Sequence, residues 1–122
     1  MHRSVIVVGL NPARERNLKK NTLTRLTEWL DFLELPMVTF TNLSPDVDWD
    51  FDFKKVDASF LSQQLKTYPK VLALGGKVSD YLAKYLHTEH FKLPHPSYRN
   101  RLLNDPEFEK RILIECKYYL KG

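Results

Sequence analysis

Hydrophobic residues recur along this chain in two alternating patterns, short continuous runs and longer stretches with helical spacing. The runs at residues 5–8 and 71–74 contain only aliphatic side chains, and each is followed by glycine. Continuous apolar runs of this length are typical of strands that are buried on both faces, as in a parallel sheet. We therefore predict strands at both runs, with further strands at residues 37–41 and 91–93.

Four amphipathic segments alternate with these strands. Each repeats apolar residues at intervals of three or four, as expected of a helix that buries one face. Asp57 can cap the second segment, and Pro106 after Asp105 favours a helix start for the fourth. The predicted buried stripes are Leu23, Leu26, Trp29, Leu30 and Leu33; Phe60, Leu61, Leu65 and Tyr68; Val78, Tyr81, Leu82, Tyr85 and Leu86; and Phe108, Ile112, Cys116 and Tyr119.

The predicted order βαβαβαβα defines a fold class. Strands that alternate with helices of this length form a mostly parallel sheet with helices on both faces. No linker, repeat or low-complexity tract divides the chain, and 122 residues with 43% hydrophobic content suffice for one core. We expect residues 1–122 to form a single domain, a three-layer α/β/α sandwich with a central, mostly parallel four-stranded sheet.

Composition excludes several protein classes. No apolar run approaches the roughly 20 residues that a membrane span requires, and no signal-like segment opens the chain. The single cysteine, Cys116, excludes an internal disulfide and a cysteine-ligated iron–sulfur cluster. Its position on the apolar stripe of the last helix predicts a buried thiol. We expect a cytoplasmic protein that has no contact with a membrane.

Two clusters contain residue types that bind metals, and neither has a complete ligand pattern. An alternating acidic segment has Phe51 where a calcium loop requires glycine. His87 and His90 lack the accompanying ligands of a zinc site. We therefore expect neither a metal nor a cofactor. The acidic segment comprises Asp46, Asp48, Asp50 and Asp52.

Polar residues follow three of the predicted strands. Parallel sheets bind ligands beyond the carboxyl ends of their strands, which directs attention to these turns. Asn11, held in an extended conformation by Pro12, can hold a water molecule. Asn42 offers a donor and an acceptor side by side, which suits the edge of a nucleobase. His95 lies between two prolines and can direct an N–H group at developing negative charge. Each turn taken alone is an ordinary loop signal.

The charge distribution adds a second indication. Lysines and arginines exceed aspartates and glutamates by 19 − 15 = 4. The positive residues cluster after the first strand and around the third turn, which is compatible with a nucleic-acid partner and also with an ordinary solvated surface. The clusters are Arg14, Arg16, Lys19, Lys20 and Arg25, and Lys92, Arg99 and Arg101.

The three turns together resemble the motifs of the uracil-DNA glycosylase superfamily. The segment Gly9-Leu10-Asn11-Pro12 is similar to the Gly-x-Asn-Pro motif of its mismatch-specific members, and His95-Pro96-Ser97 to its second signature. Asn42 is similar to the strand-ending asparagine between them, and residues 71–75 to the strand and glycine before the third helix. The motifs are short, but they occur in the right order over nearly the whole chain.

The resemblance implies a DNA glycosylase that flips a nucleotide and hydrolyses the N-glycosidic bond of uracil or a related pyrimidine. Asn11 would position the water and His95 would stabilise the leaving base, without a cofactor. The other substrate contacts implied are Gly9, Leu10, Pro12, Asn42 and Ser97. The DNA contacts implied are Arg14, Arg16, Tyr98, Arg99, Asn100 and Arg101.

The DNA substrate expected is single-stranded or mismatched rather than an intact duplex. Arg99 stands where many members carry the leucine that wedges into the duplex, and unpaired bases are easier to flip. Phe40 is near Asn42 in the sequence, but its strand position fits core packing at least as well as base stacking. Two alternatives stay open: a catalytically silent module that binds DNA or a protein, and an enzyme acting on a free nucleotide or nucleoside.

Overall fold

The computed structural model describes residues 5–9, 20–35, 38–43, 56–94 and 105–121. Strands and helices alternate through these residues in the predicted order. The elements are β1 (Val5–Gly9), α1 (Lys20–Phe32), β2 (Thr39–Asn42), α2 (Ala58–Lys66), β3 (Lys70–Leu74), α3 (Gly76–Lys84), β4 (Phe91–Leu93) and α4 (Pro106–Lys121).

The four strands form one sheet in the order β2-β1-β3-β4, and every pair is parallel. β1 lies in the interior of the sheet, where Ile6 pairs with Thr39 on one side and with Val71 on the other. This position explains why β1 is a continuous apolar run, since neither of its faces meets water. The predicted α/β sandwich with a parallel four-stranded sheet is confirmed.

Alternation along the strands divides the core into two layers. Val5 and Val7 face α1 and α4, whereas Ile6 and Val8 face α2 and α3. The first layer contains Trp29, Leu113 and Cys116 from its helices and Leu33 directly after α1, and the second contains Leu61, Leu65, Val78, Tyr81 and Leu82.

Side-chain hydrogen bonds fix the starts and the packing of the helices. Asp57 Oδ1 accepts the N–H of Phe60 at 3.0 Å, and Asp105 Oδ1 accepts that of Glu107 at 3.0 Å. Both predicted helix starts are therefore confirmed. On the face of the sheet that α1 and α4 share, the Trp29 indole donates its Nε1–H to Glu109 Oε1 at 2.8 Å. This hydrogen bond joins α1 to α4.

Two predicted core aromatics are not in the core. Phe60 is 62% exposed because Leu61 and Leu65, four residues apart, already form the face of α2 that meets the sheet. Tyr85, the C-cap of α3, is 59% exposed, and its ring stacks on Tyr81 with 5.0 Å between the ring centroids. Tyr68 also lies beyond its helix, yet it packs against the core and donates its hydroxyl to Thr39 Oγ1 at 2.9 Å.

Cys116 is fully buried between α4 and the sheet, which confirms the prediction of a core thiol. Burial raises its pKa to about 12. Among the described residues, no helix is both long enough and apolar enough to cross a lipid bilayer.

Candidate binding edge of the sheet

All four strands end at one edge of the sheet because they are parallel. From β1 the chain leads to β2 on one side, and from β3 it leads to β4 on the other. The ends of β1 and β3 therefore flank the point where the connections diverge, which is the usual ligand site of an open α/β sheet. Gly9 ends β1, and Gly75 directly follows β3. Neither residue has a side chain that would fill this space.

Gly9 and Asn42 are neighbours across the sheet at this edge. They are partners in the β1–β2 register, and the N–H of Leu43 donates to Gly9 O at 2.9 Å. A Cβ atom at position 9 would stand 2.7 Å from Asn42 Oδ1. The amide of Asn42 therefore occupies the space that a side chain at position 9 would take, and the partly buried Asn42 is positioned by a glycine.

An aromatic side chain lies on the same face of β2 as Asn42. Phe40 is two residues before Asn42, so strand alternation directs both side chains to the α1 and α4 side of the sheet. The register partner of Phe40, Val7, is fully buried, but Phe40 itself is 53% exposed on the outer strand. Phe40 is thus not a core residue, which corrects that expectation from the sequence.

The β3–β4 end of the edge carries positive potential. Gly75 has a left-handed backbone with φ 91°, and its N–H donates to Leu93 O at 2.8 Å. This turn begins α3 at Gly76, so the unpaired first-turn N–H groups of the helix lie at the edge. Lys92 Nζ is 3.8 Å from the position of a Cβ at Gly76, and Lys77 is exposed in the same turn.

His90 makes hydrogen bonds through both ring nitrogens. Nδ1 lies 2.8 Å from Thr88 O and Nε2 lies 2.7 Å from Ser79 Oγ. A carbonyl oxygen only accepts, so in the neutral imidazole Nδ1 carries the proton and Nε2 accepts from the Ser79 hydroxyl. The ring therefore links the residue before β4 to α3. The described residues include no group of three or more metal-binding side chains.

Of the predicted site residues, Gly9 and Asn42 lie within the described residues, and the fold brings them together. The other predicted positions lie outside the described residues, as does the acidic segment of residues 46–52. Leu10 directly follows Gly9 in the sequence, and His95 directly follows Pro94 after β4. The outside positions are Leu10, Asn11, Pro12, Arg14, Arg16, His95, Ser97, Tyr98, Arg99, Asn100 and Arg101.

Two features of this edge were not predicted, although the sequence had drawn attention to both residues: the exposure of Phe40 and the approach of Lys92 to Gly76. The exposure of Phe40 is opposite to its signal, since an apolar residue between Thr39 and Thr41 is the alternating pattern that predicts a ring facing the core. The approach of Lys92 to Gly76 had none, because it depends on how β4 packs beside α3. The described edge thus combines an amide that packs against a glycine, an exposed aromatic ring and a positive corner.

Comparison with protein-family models, with characterised proteins and with solved structures found no match to this chain.

Proposed function

We propose that the chain is a DNA N-glycosylase that flips a uracil or a related pyrimidine out of DNA and hydrolyses its glycosidic bond. The observation that carries the proposal is the pairing of Gly9 with Asn42 at the carboxyl edge of the sheet, where the Asn42 amide fills the space above a glycine. This edge is the ligand position expected of the fold. Of the sequence motifs that resemble uracil-DNA glycosylases, Asn42 ends β2, and the other two begin at the end of β1 and follow β4 in the sequence.

Base recognition follows from the chemistry of the amide. The NH₂ group of Asn42 can donate to uracil O4 while its carbonyl accepts from N3–H. Cytosine reverses both partners, so an amide held in one orientation rejects cytosine and a rotating one does not. The close approach to Gly9 is a means of holding that orientation, because the amide lies against backbone on one side.

Phe40 supplies a stacking surface next to this amide. Enzymes that act on a flipped base hold it by stacking as well as by its Watson–Crick edge. The ring of Phe40 is half exposed on the same face of β2 as Asn42, so it is accessible to a planar ligand. A stack of this kind partly offsets the few kcal/mol that flipping costs.

Bond cleavage is assigned to the two turns that resemble the catalytic motifs. Water held by Asn11 adds its oxygen to the anomeric carbon as the bond to the base breaks, and the bonding electrons leave with the base. The proton lost by the attacking water passes to solvent water, because an amide does not accept it. His95 donates a hydrogen bond to O2 of the anionic base. Removal of a donor of this type typically costs about 3–4 kcal/mol of transition-state stabilisation.

DNA is held by phosphate contacts at the same edge. Lys77, Lys92 and the first turn of α3 provide positive potential at its β3–β4 end. Arg14, Arg16, Arg99 and Arg101 belong to the sequence segments that continue from β1 and β4. We expect the affinity for DNA to fall steeply as the salt concentration rises. We also expect single-stranded or mismatched DNA to be the preferred substrate and the reaction to take place in the cytoplasm.

The test is base release from oligonucleotides that carry one uracil, either single-stranded or opposite guanine or adenine, with alkaline cleavage of the abasic product. We expect release by the parent protein and its loss in His95→Ala and Asn42→Ala. Gln63→Ala, which truncates an exposed amide on α2, is the matched control and retains activity.

Each other result points to a different function. Salt-sensitive DNA binding without release of uracil or modified pyrimidines contradicts a glycosylase and favours a silent binding module. Release from free nucleosides without DNA binding favours an enzyme of nucleotide metabolism. Release that is unchanged in both variants would show that the site has been placed on the wrong residues.

A further inference from the structure

Ser79 and His90 form a hydrogen-bonded pair between α3 and the start of β4. Ser79 is the fourth residue of α3, and His90 directly precedes β4. Ser79 Oγ lies 2.7 Å from His90 Nε2, and both residues are half-buried, so the pair is accessible from solvent. Neither residue takes part in the base release proposed above.

The serine hydroxyl is directed at the imidazole and not at its own helix. A serine inside a helix can donate to the carbonyl oxygen four residues before it. Here that oxygen, Gly75 O, accepts the backbone N–H of Ser79 at 3.1 Å, whereas Oγ pairs with a ring eleven residues further along the chain. Because Nε2 is the unprotonated nitrogen of the neutral ring, the hydroxyl of Ser79 donates its proton to it.

The backbone holds the imidazole in this tautomer. His90 Nδ1 donates to Thr88 O at 2.8 Å. The N–H of Thr88 in turn donates to Leu82 O at 2.9 Å, so the residue that orients the ring is itself bound to α3. A hydroxyl next to a base that a third group orients is the arrangement of serine hydrolases. In this chain a backbone carbonyl takes the place of the usual carboxylate.

The surroundings of Ser79 leave room for a small acyl group and supply a positive charge. Gly76 and Ala83 are exposed and lie one turn before and one turn after Ser79 on the same side of α3, and neither has a side chain larger than methyl. Lys92 Nζ is 3.8 Å from the position of a Cβ at Gly76. An ammonium group thus lies about 4.5 Å along the helix axis from Ser79, where it can stabilise an oxyanion.

We propose that Ser79 and His90 form a second active site, which hydrolyses small carboxylic esters. His90 Nε2 takes the proton of Ser79 as Oγ bonds to the ester carbonyl carbon, and it returns this proton to the alcohol oxygen as the ester bond breaks. Water then attacks the acyl group and gives a proton to Nε2, and Ser79 leaves with that proton as the acid is released. This activity does not rest on the proposed glycosylase, because neither residue belongs to that site.

Covalent labelling tests the nucleophile. The full chain is treated with a fluorophosphonate, which bonds to activated serines, and the labelled peptide is identified by mass spectrometry. Hydrolysis of p-nitrophenyl acetate is measured in parallel. We expect both reactions in the parent, neither at this site in Ser79→Ala, and rates at least about a hundredfold lower in His90→Gln. Ser62→Ala and His87→Asn change another half-buried serine and an exposed histidine, and both should react like the parent.

A cysteine variant separates catalysis from a merely structural role. Ser79→Cys keeps a side chain of similar size, and the native Cys116, the single cysteine of the chain, is buried with its pKa raised to about 12. The new thiol is therefore the one that reacts. Iodoacetamide should alkylate Ser79→Cys at least about tenfold faster than Ser62→Cys, because a neighbouring imidazole favours the thiolate. Adding His90→Gln to Ser79→Cys should remove this difference.

Three results would overturn the proposal. A parent that takes up no label and hydrolyses no ester, with Ser79→Ala less stable in urea, would show a hydrogen bond that only holds β4 to α3. Labelling of Ser79 at an unchanged rate in His90→Gln would remove His90 as the base. Equal alkylation of Ser79→Cys and Ser62→Cys would contradict activation of position 79, and this comparison decides if Ser79→Ala or His90→Gln does not fold.

Discussion

The amide oxygen of Asn42 lies 2.7 Å from the position that a Cβ atom would take at position 9, which is too close for any residue other than glycine without a shift. Gly9 and Asn42 end adjacent parallel strands, so this close approach is built into the sheet. It connects a backbone requirement in β1 with the orientation of a polar side chain in β2. The first prediction tests that connection directly.

We expect Gly9→Ala to cost about 1 kcal/mol of unfolding free energy and to displace the Asn42 amide, because the new methyl group overlaps Oδ1. In an Asn42→Ala background the same change should be neutral or slightly stabilising, since the overlap is gone and glycine carries an entropy penalty. Urea unfolding of the four proteins of this double-mutant cycle measures the difference. If Gly9→Ala costs the same unfolding free energy in both backgrounds, the new methyl group at position 9 does not interact with the Asn42 side chain.

Truncation of Phe40 should affect ligand binding more than stability. Phe40 is 53% exposed, so Phe40→Ala removes less buried area than truncation of a core phenylalanine would. If the ring stacks on a base, the variant loses about 1–3 kcal/mol of binding free energy, seen as a raised KM for base release. Phe60→Ala, which truncates another exposed phenyl ring on α2, provides the control. The same small effect in both variants would remove Phe40 from the site.

The hydrogen bond between Trp29 and Glu109 should contribute measurably to stability. Trp29 is 1% exposed, so Glu109→Ala leaves a buried indole N–H without its acceptor. We expect a loss of about 1–3 kcal/mol in unfolding free energy. Glu109→Gln keeps a side-chain oxygen at this position and should recover most of the loss. If Gln and Ala prove equally destabilising, the carboxylate acts through its charge and not as the acceptor.

Alkaline pH should destabilise the protein in part through Cys116. Burial raises the pKa of this thiol from its ordinary value of 9.0 to about 12. Above pH 9 the unfolded chain therefore loses a proton that the folded chain retains, and the unfolding free energy decreases as the pH rises towards 12. Burial also raises the pKa of Tyr119, which adds a loss of the same sign.

The measurement is urea unfolding at about pH 8 and about pH 10, with about 1.4 kcal/mol of the decrease assigned to Cys116. Cys116→Ala should be less stable at both values because it leaves a cavity, but its decrease between them should be smaller by that amount. An identical pH dependence in the variant and the parent would mean that the thiol ionises equally in both states.

Local signals in the sequence predicted the elements correctly. Continuous apolar residues at 5–8 sufficed for β1, because a strand covered on both faces tolerates no polar side chain. The starts of α2 and α4 were equally readable, since Asp57 and Asp105 act on backbone groups two or three residues away. The errors are Phe60 and Tyr85, whose burial depends on which face of each helix packs on the sheet, and periodicity alone does not contain that packing.

The sequence by itself therefore determined the fold class and the candidate turns. Only the tertiary structure decided the strand order, the exposure of Phe40, the bond between Trp29 and Glu109 and the approach of Asn42 to Gly9. The physical reason is the range of the interactions. Caps and periodic apolar faces depend on neighbouring residues, whereas strand order and close approach depend on which distant segments pack together, and one sequence contains no direct record of those distances.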